Sequence, residues 1–434
     1  MSPKNIYGVS DSYLCCNCGA CSVVCPTDAI EFKSTSLGRL YASVNDKCIN
    51  CGKCQKVCPT LNQAADFSSS DGLLGKISSV SVGKATDAAI FRNSQSGGIC
   101  TALLKFLFET HRIDAALVCR MDYGDPVPEV RPMIVTNVDE LKTSQKSCYS
   151  PVELLGILKG EISRFHSIAV VGIGCQIEGL SLISRINKEF EKKIYCRIGL
   201  ICDRTLCGTI QNVYASYTPH FQAIKIAWRC KSLPSSDLHL RYETARLVIT
   251  DRNGAYKSFP NSFRFALKDM FTSPRCRVCP DKLNLCSDIT LGDPWRMTGI
   301  DWENGDSLVV GRTELGEDIL AEAKAAGYFS LSSRPTEQLY KGQLIEERCR
   351  QIADYAGGFH VLNPTVHSHL LTPSVPSGYK VETEGAENEF RGFVVRETLS
   401  QREIIKQARL LIKKYSFKKT LPGRIIVKLI NIFR

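Results

Sequence analysis

Eight cysteines near the start of the chain fall into two copies of one pattern, and any fold must bring them together in a fixed way. Cys15, Cys18, Cys21 and Cys25 recur, at a constant offset of 33 residues, as Cys48, Cys51, Cys54 and Cys58. Each copy reads C-x-x-C-x-x-C-x-x-x-C-P, and Asn17, Gly19, Val24, Pro26 and Thr27 map onto Asn50, Gly52, Val57, Pro59 and Thr60. A tight loop with this spacing aims three sulfurs at one point. The proline turns the chain out of the loop, and the fourth sulfur ligates the other cluster. The pattern predicts one cubane 4Fe–4S cluster on Cys15, Cys18, Cys21 and Cys58, and a second on Cys48, Cys51, Cys54 and Cys25. Zinc held by paired knuckles is the alternative, but zinc rarely needs three strictly spaced cysteines followed by C-P, and here they occur twice. Cys16 belongs to neither quartet and is expected to be a packed or outward-facing thiol.

Over residues 10–62 this stretch resembles a bacterial two-cluster ferredoxin. The whole chain has 434 residues, enough for two or three domains with real cores. It lacks a run of eighteen apolar residues, and Met-Ser-Pro-Lys-Asn does not open like a secretory signal, so a cytoplasmic protein is expected. In that reducing compartment, 21 cysteines point to metal or redox chemistry instead of disulfides. The net charge of +11 is uneven: residues 401–434 carry ten Lys or Arg and one acid, Glu403. Most of the charge therefore sits in a tail, which argues against a nucleic-acid surface over the whole protein.

After a linker at 63–79, which includes the stretch Asp66 to Gly72, short apolar runs alternate with helical patterns. Ala115–Val118 and Ile168–Val171 are predicted strands; Thr101–Thr110 and Ile177–Phe190 are predicted helices. Such alternation argues α/β architecture. Ser94, Ser96, Gly97 and Gly98 precede the first of these helices, where free N–H groups and a positive dipole end suit a phosphate; an ordinary capped loop is the plainer alternative. Gly172 to Gln176 places Cys175 at a strand end, where open α/β sheets bind ligands, although a small buried thiol is common there. Cys276, Cys279 and Cys286 form a partial metal site that needs a fourth ligand. Cys202, at the end of another apolar run, is the choice for a third cubane. A four-cysteine zinc site and free buried thiols remain the alternatives.

In this order the pieces resemble the family of coenzyme F-420 hydrogenase/dehydrogenase beta subunits over roughly residues 80–350. The residues that carry the resemblance are Ser94 to Leu103, Ser147 to Ser150, Gly172 to Gln176, Gly199 to Cys202 and Arg275 to Trp295. The resemblance implies bound FAD contacted by Ser94, Ser96, Gly97, Gly98, Cys175 and Gln176. It also implies a third 4Fe–4S cluster on Cys202, Cys276, Cys279 and Cys286, and electron exchange with a deazaflavin coenzyme or a redox partner protein. Three departures fall on ligand-facing loops: Lys146-Ser147-Cys148-Tyr149 stands where the family often has Gly-Ser-Lys-Tyr, Gly174 replaces a proline, and Asp203 replaces a histidine. They put the deazaflavin substrate in doubt more than the redox chain.

The resulting expectation is a multidomain α+β and α/β protein: a ferredoxin-like two-cluster module at 1–62, fused to an α/β flavin-binding body in two parts, 80–160 and 161–350. An irregular connector at 351–396 and a basic helical tail at 397–434 follow. The expected function is an iron–sulfur flavoprotein oxidoreductase. The alternative is a non-catalytic relay subunit serving a separate reductase, such as one tied to polysaccharide assembly. In the tail, Ile404, Ile405, Ala408, Leu411 and Ile412 recur at helical spacing, and the apolar segment 424–434 is flanked by cations. Three outcomes are open for it: packing on the body, peripheral contact with an anionic membrane surface, or docking of an acidic partner.

Overall fold

The computed structural model describes residues 4–65, 73–122, 127–223, 225–231, 246–260, 262–362 and 378–418. The linker stretch 66–72 and the terminal segment 424–434 lie outside them.

The cysteine repeat is visible in the backbone. Asn17 and Asn50 take the left-handed conformation (φ 50° and 53°), as do Gly19 and Gly52 (φ 91° and 75°). These paired turns bend each ligand loop back before its short helix, Ala20–Val24 in one copy and Lys53–Lys56 in the other. Between the copies lies an antiparallel hairpin of β1 (Ile30–Ser34) and β2 (Leu40–Val44), registered Ile30 to Val44. Its inner face packs Ile30, Phe32, Ala42 and Val44 against Cys15, Cys21, Cys54 and Cys58.

The body is built on an eight-stranded sheet and a three-stranded one. The larger sheet uses β3 (Ser79–Ala85), β4 (Ala115–Asp122), β5 (Glu129–Val135), β6 (Ile168–Ile173), β7 (Ile194–Leu200), β11 (Ile289–Gly292), β12 (Ser307–Gly311) and β13 (Phe329–Ser333). Between β7 and β11 the chain forms β8 (Lys225–Cys230), β9 (Arg246–Thr250) and β10 (Tyr256–Phe259), an antiparallel sheet in the order β10-β9-β8. The large sheet runs β13-β3-β12-β11-β7-β6-β4-β5. Strands β4, β6, β7 and β11 are mutually parallel, whereas β12 is antiparallel to both β11 and β3. The carboxyl ends of β3, β4, β6, β7 and β11 therefore share one edge, as does the start of β12. Helix Ile99–Glu109 buries Ile99, Leu103, Phe106 and Leu107 against one face of this sheet, and Gly174–Ile186 buries Ile177, Leu180 and Ile183 against the other.

Local sequence and structure differ in two instructive places. The helix expected at 177–190 begins at Gly174 and breaks at Asn187, whose side chain caps a separate short helix by accepting from Phe190 N. The connector expected to be irregular holds the end of helix Ile345–Leu362 and a further helix, Glu384–Glu397. The latter buries only Ala386 and Phe393, so its sequence carries little apolar periodicity. Helix Gln401–Lys418 spends its apolar stripe on the body: Ile404, Ala408 and Ile412 are buried beside Tyr214, Leu267 and Phe271, while Leu411 stays exposed. Among the described residues no helix is long and apolar enough to cross a membrane.

The cysteine module docks rigidly on the body. Leu155 N donates to Cys18 O at 3.0 Å, and Gly208 N donates to Gly38 O at 2.8 Å. Gly38 sits at φ +82°, and a Cβ there would meet Thr209 N at 2.4 Å, so the approach requires glycine. The C-terminal helices close the arrangement. Arg39 grips Glu397 with two bonds, Nε to Oε1 at 2.7 Å and Nη2 to Oε2 at 3.1 Å, with both side chains 9% exposed. The guanidinium also lies over the rings of Tyr13 and Tyr41. Removing one partner of a buried bidentate pair costs about 3–5 kcal/mol, because the other charge is left uncompensated. Arg39→Met is accordingly expected to lower the midpoint of chemical denaturation of the full chain. Arg39→Met with Glu397→Leu should recover most of that loss. An unchanged midpoint in the single variant would show that the pair does not hold the module.

Candidate functional site

The front sulfurs lie in an environment that disfavours free thiolates. Burial, followed by the charges of Cys15, Cys58 and Cys54, pushes the Cys21 thiol well up; Cys58 is pushed to about 12 by burial and by Cys16. Cys54 is raised by burial and faces Cys48 and Cys51. Several sulfurs nevertheless receive the backbone donors a thiolate would use: Cys15 Sγ accepts from Asn17 N and Ala42 N at 3.4 Å each, and Cys25 Sγ accepts from Ala29 N at 3.3 Å. Grouped, buried thiols with N–H donors already aimed at them suit iron, whose charge would hold them ionised.

A second thiol group forms where the front loop meets the shared edge of the large sheet. Here a cavity of about 460 Å³, counting its open mouth, is lined by Cys15, Cys16 and Asn17 from the front, and by Cys175, Cys202, Cys276 and Cys279 from the body. Cys175 follows β6 and Cys202 follows β7, so parallel pairing places them side by side. Glycines permit this: a Cβ at Gly174 would meet Asp281 O at 2.6 Å, and one at Gly199 would meet Asn284 Cγ at 2.4 Å. Cys276 Sγ accepts from Thr205 N at 3.4 Å. Two buried arginines supply positive charge. Arg275 faces Cys279, Cys16 and Cys175, and Arg348 donates to the carbonyls of Cys276 and Cys279 at 2.6 and 2.8 Å. The Nε atoms of both are buried without a hydrogen-bond partner. Asp203, in the place of the family histidine, pairs with Arg204 and Lys282, and those cations hold its carboxyl well below the usual range against the cost of burial. Among the described residues no three His, Cys, Asp or Glu side chains converge as ligands of a single ion. A cubane places each thiolate on a separate iron, so its ligands need no such convergence.

The structure thus brings Cys202, Cys276 and Cys279 together but leaves Cys286 out. The turn after Cys279 is held by Asn284 at φ 60°, whose amide donates to Gly172 O at 2.8 Å. It carries Cys286 toward Glu178 and Arg185, where it packs among Cys18, Leu155 and Ile177. Cys175, expected at the flavin, takes a place in the thiol group. Gln176 caps its own helix, accepting from Ile173 N at 3.0 Å. Cys148 lies apart from Cys175, beside Lys225 and Cys119.

Farther along the same edge, the Ser94–Gly98 loop stands over β3 and β12. Gly98, at φ +82°, opens helix Ile99–Glu109. Gly97 is demanded by packing, since a Cβ would meet Gly83 O at 2.3 Å; its N–H donates to Ser307 Oγ at 3.0 Å. Ser94 Oγ donates to Ser96 O at 2.6 Å. Around this loop gather four cations that sequence reading missed. Lys231, 4% exposed, donates to Ser96 O at 2.6 Å and Asn304 O at 2.9 Å. Burial, then Lys146, lowers it to about 8. Lys225 is lowered by burial and by Lys146, and Arg229, buried, pairs with Asp293 at 2.6 Å over the Trp295 ring. Lys146, at φ +81°, reaches Cys230 Sγ at 3.9 Å. The available signal was Lys225, Arg229 and Lys231 at even spacing along one short strand and its end. Buried cations that repel one another create a place for an anion.

Comparison with known proteins accounts for the ordered set. The family model for the coenzyme F-420 hydrogenase/dehydrogenase beta subunit matches with its N-terminal part at residues 80–159 and its C-terminal part at 165–337. A 4Fe–4S dicluster domain matches residues 14–62. An uncharacterized protein of Methanocaldococcus jannaschii is 26% identical, over 74% of this chain and 90% of its own length. One subunit of the coenzyme F-420 dehydrogenase of Methanosarcina mazei is 24% identical, over 81% of this chain and 94% of its own. A chain of the F-420-reducing nickel–iron hydrogenase complex of Methanosarcina barkeri aligns at 20% identity with a TM-score of 0.47, covering 64% of this chain and 94% of that one. With both parts of the family model matched in sequence behind an iron–sulfur front domain, the chain belongs to the family of coenzyme F-420 hydrogenase/dehydrogenase beta subunits.

Proposed function

We propose that this iron–sulfur family member is a flavoprotein oxidoreductase. Its redox chain would consist of the two front clusters, a third cluster on Cys175, Cys202, Cys276 and Cys279, and FAD beside the Ser94–Gly98 loop. The observation that carries the reading is the cavity in which those four body thiols meet the front loop, with Arg275 and Arg348 positioned to offset thiolate charge. Lys231, Lys225, Lys146 and Arg229, with the start of helix Ile99–Glu109, would receive the flavin's phosphates. A flavin can exchange a two-electron transfer for single electrons, and clusters carry one each.

The partner is proposed to be a deazaflavin coenzyme or a redox protein. A relay subunit serving a separate reductase is the second reading, favoured by the relative that is itself named as a subunit. Multiple turnovers by the isolated chain with a reduced deazaflavin would decide for the enzyme. Failure of that donor, with bound flavin still reducible through the clusters, would decide for the relay.

Anaerobically purified protein is expected to contain about twelve irons per chain, for three cubanes. Cys175→Ser should lose one cluster's worth, and Cys286→Ser should lose none; the reverse pattern would restore Cys286 as the ligand. Lys231→Met and Gly98→Val are each expected to lower FAD retention, read by flavin absorbance after gel filtration, and full retention in both would misplace the flavin. The sign of the pH effect follows from Lys231, which burial and Lys146 hold at about 8. FAD rebinding to flavin-depleted protein should weaken as pH rises past that value, because the neutral amine no longer attracts phosphate. Equal affinity on both sides of it would remove Lys231 from the phosphate site.

A further inference from the structure

The two copies of the cysteine repeat are not equivalent at one position. The residue that corresponds to Cys16 in the second copy is Ile49, which is 62% exposed. Cys16 instead faces inward and lines the cavity between the module and the body. Its sulfur is in hydrogen-bonding contact with two others, the thiols of Cys18 and Cys175. The Cys175 thiol also lies 3.9 Å from the Cys16 carbonyl, for which it is the donor. Arg275 directs its charge at both Cys16 and Cys175. Cys18 belongs to the quartet of a front cluster and Cys175 to the body quartet, so Cys16 touches one proposed ligand of each.

We propose that Cys16 is a non-ligand bridging thiol. Its S–H hydrogen-bonds an iron-bound sulfur at the junction, sets the potentials of the front and body clusters relative to each other, and gives an electron a direct side-chain contact for crossing between them. The inference rests on the proposed body cluster. Four body cysteines already complete a cubane's ligand set, which leaves Cys16 free to keep its proton. A thiol carries one proton, so it can donate to Cys18 or to Cys175 but not to both at once. Hydrogen bonds to cluster sulfurs are among the determinants of cluster potential, so the choice of acceptor biases one cluster against the other. In the crossing itself one electron leaves one cluster and one arrives at the other. The Cys16 proton stays on sulfur, and no bond to sulfur is made or broken.

The test uses the full chain purified without oxygen, as wild type, Cys16→Ala and Cys16→Ser. Iron and sulfide are counted, and each cluster is titrated with EPR detection. All three proteins should hold the full iron complement. Cys16→Ala should move the equilibrium distribution of an electron between the front and body clusters by about tenfold, which is about 59 mV for a one-electron couple. Cys16→Ser, which retains a donor, should move it less. Loss of one cluster's iron in Cys16→Ala would make Cys16 a ligand and overturn the proposal. Full iron with unchanged potentials would overturn it as well. A wild type with only the two front clusters would overturn both this inference and the body cluster on which it stands.

Discussion

Sulfur held out of water is the constraint around which this protein is arranged. Thiols buried among apolar side chains and among one another cannot ionise without a cation to hold their charge. The front repeat groups such thiols within a hairpin-walled module, and the body groups a second set at the ends of β6 and β7. Each group adds its own source of charge balance. In the front module, N–H donors turn inward from the ligand loops and from β2. In the body, Arg275 and Arg348 sit beneath the cavity with nitrogen atoms still unpartnered. An electron carrier needs this combination of burial with pre-aimed donors, because reorganisation on gaining one electron is then small.

The two groups depend on the rigidity of the joint between them. Gly38 meets Gly208, Cys18 meets Leu155, and Glu397 returns from the C-terminal helices to neutralise Arg39. The basic tail, as far as residue 418, is therefore a structural strap. Its apolar residues are spent on the body core, and its charges face water. That fate is the common one for an amphipathic helix next to an unfinished core.

The shared edge of the large sheet then arranges the remaining chemistry in a row. The thiol cavity lies at β6 and β7, and the cation-ringed loop lies at β3 and β12. The three-stranded sheet inserted between β7 and β11 contributes Lys225, Arg229 and Lys231 to that ring. The departures from the family pattern read differently in this setting. The exchange of lysine for Cys148 does not strip the loop of cations, because Lys146 projects its ammonium to the same group as Lys225 and Lys231. Asp203 replaces histidine but is answered by Arg204 and Lys282, so the edge of the cavity stays charged.

What the order of residues settles here is local. The spacing of Cys15 to Cys25 and its copy are set by the reach of one loop, and the same loops reappear as paired left-handed turns at Asn17 and Asn50. The strand cores at 115–118 and 168–171 and the helix after Gly98 were readable because apolar runs and a glycine start act over a few residues. Which distant side chains meet was settled by the packed fold. Cys286 stands in line with Cys276 and Cys279 in the chain, yet the turn at Asn284 removes it, and the pairing of β6 with β7 supplies Cys175 instead. The four cations from two separated segments, and the Arg39 and Glu397 pair spanning most of the chain, were hidden for the same reason. A contact made across sheet register or between modules leaves no periodicity in the sequence, because its partners are joined by packing and not by spacing.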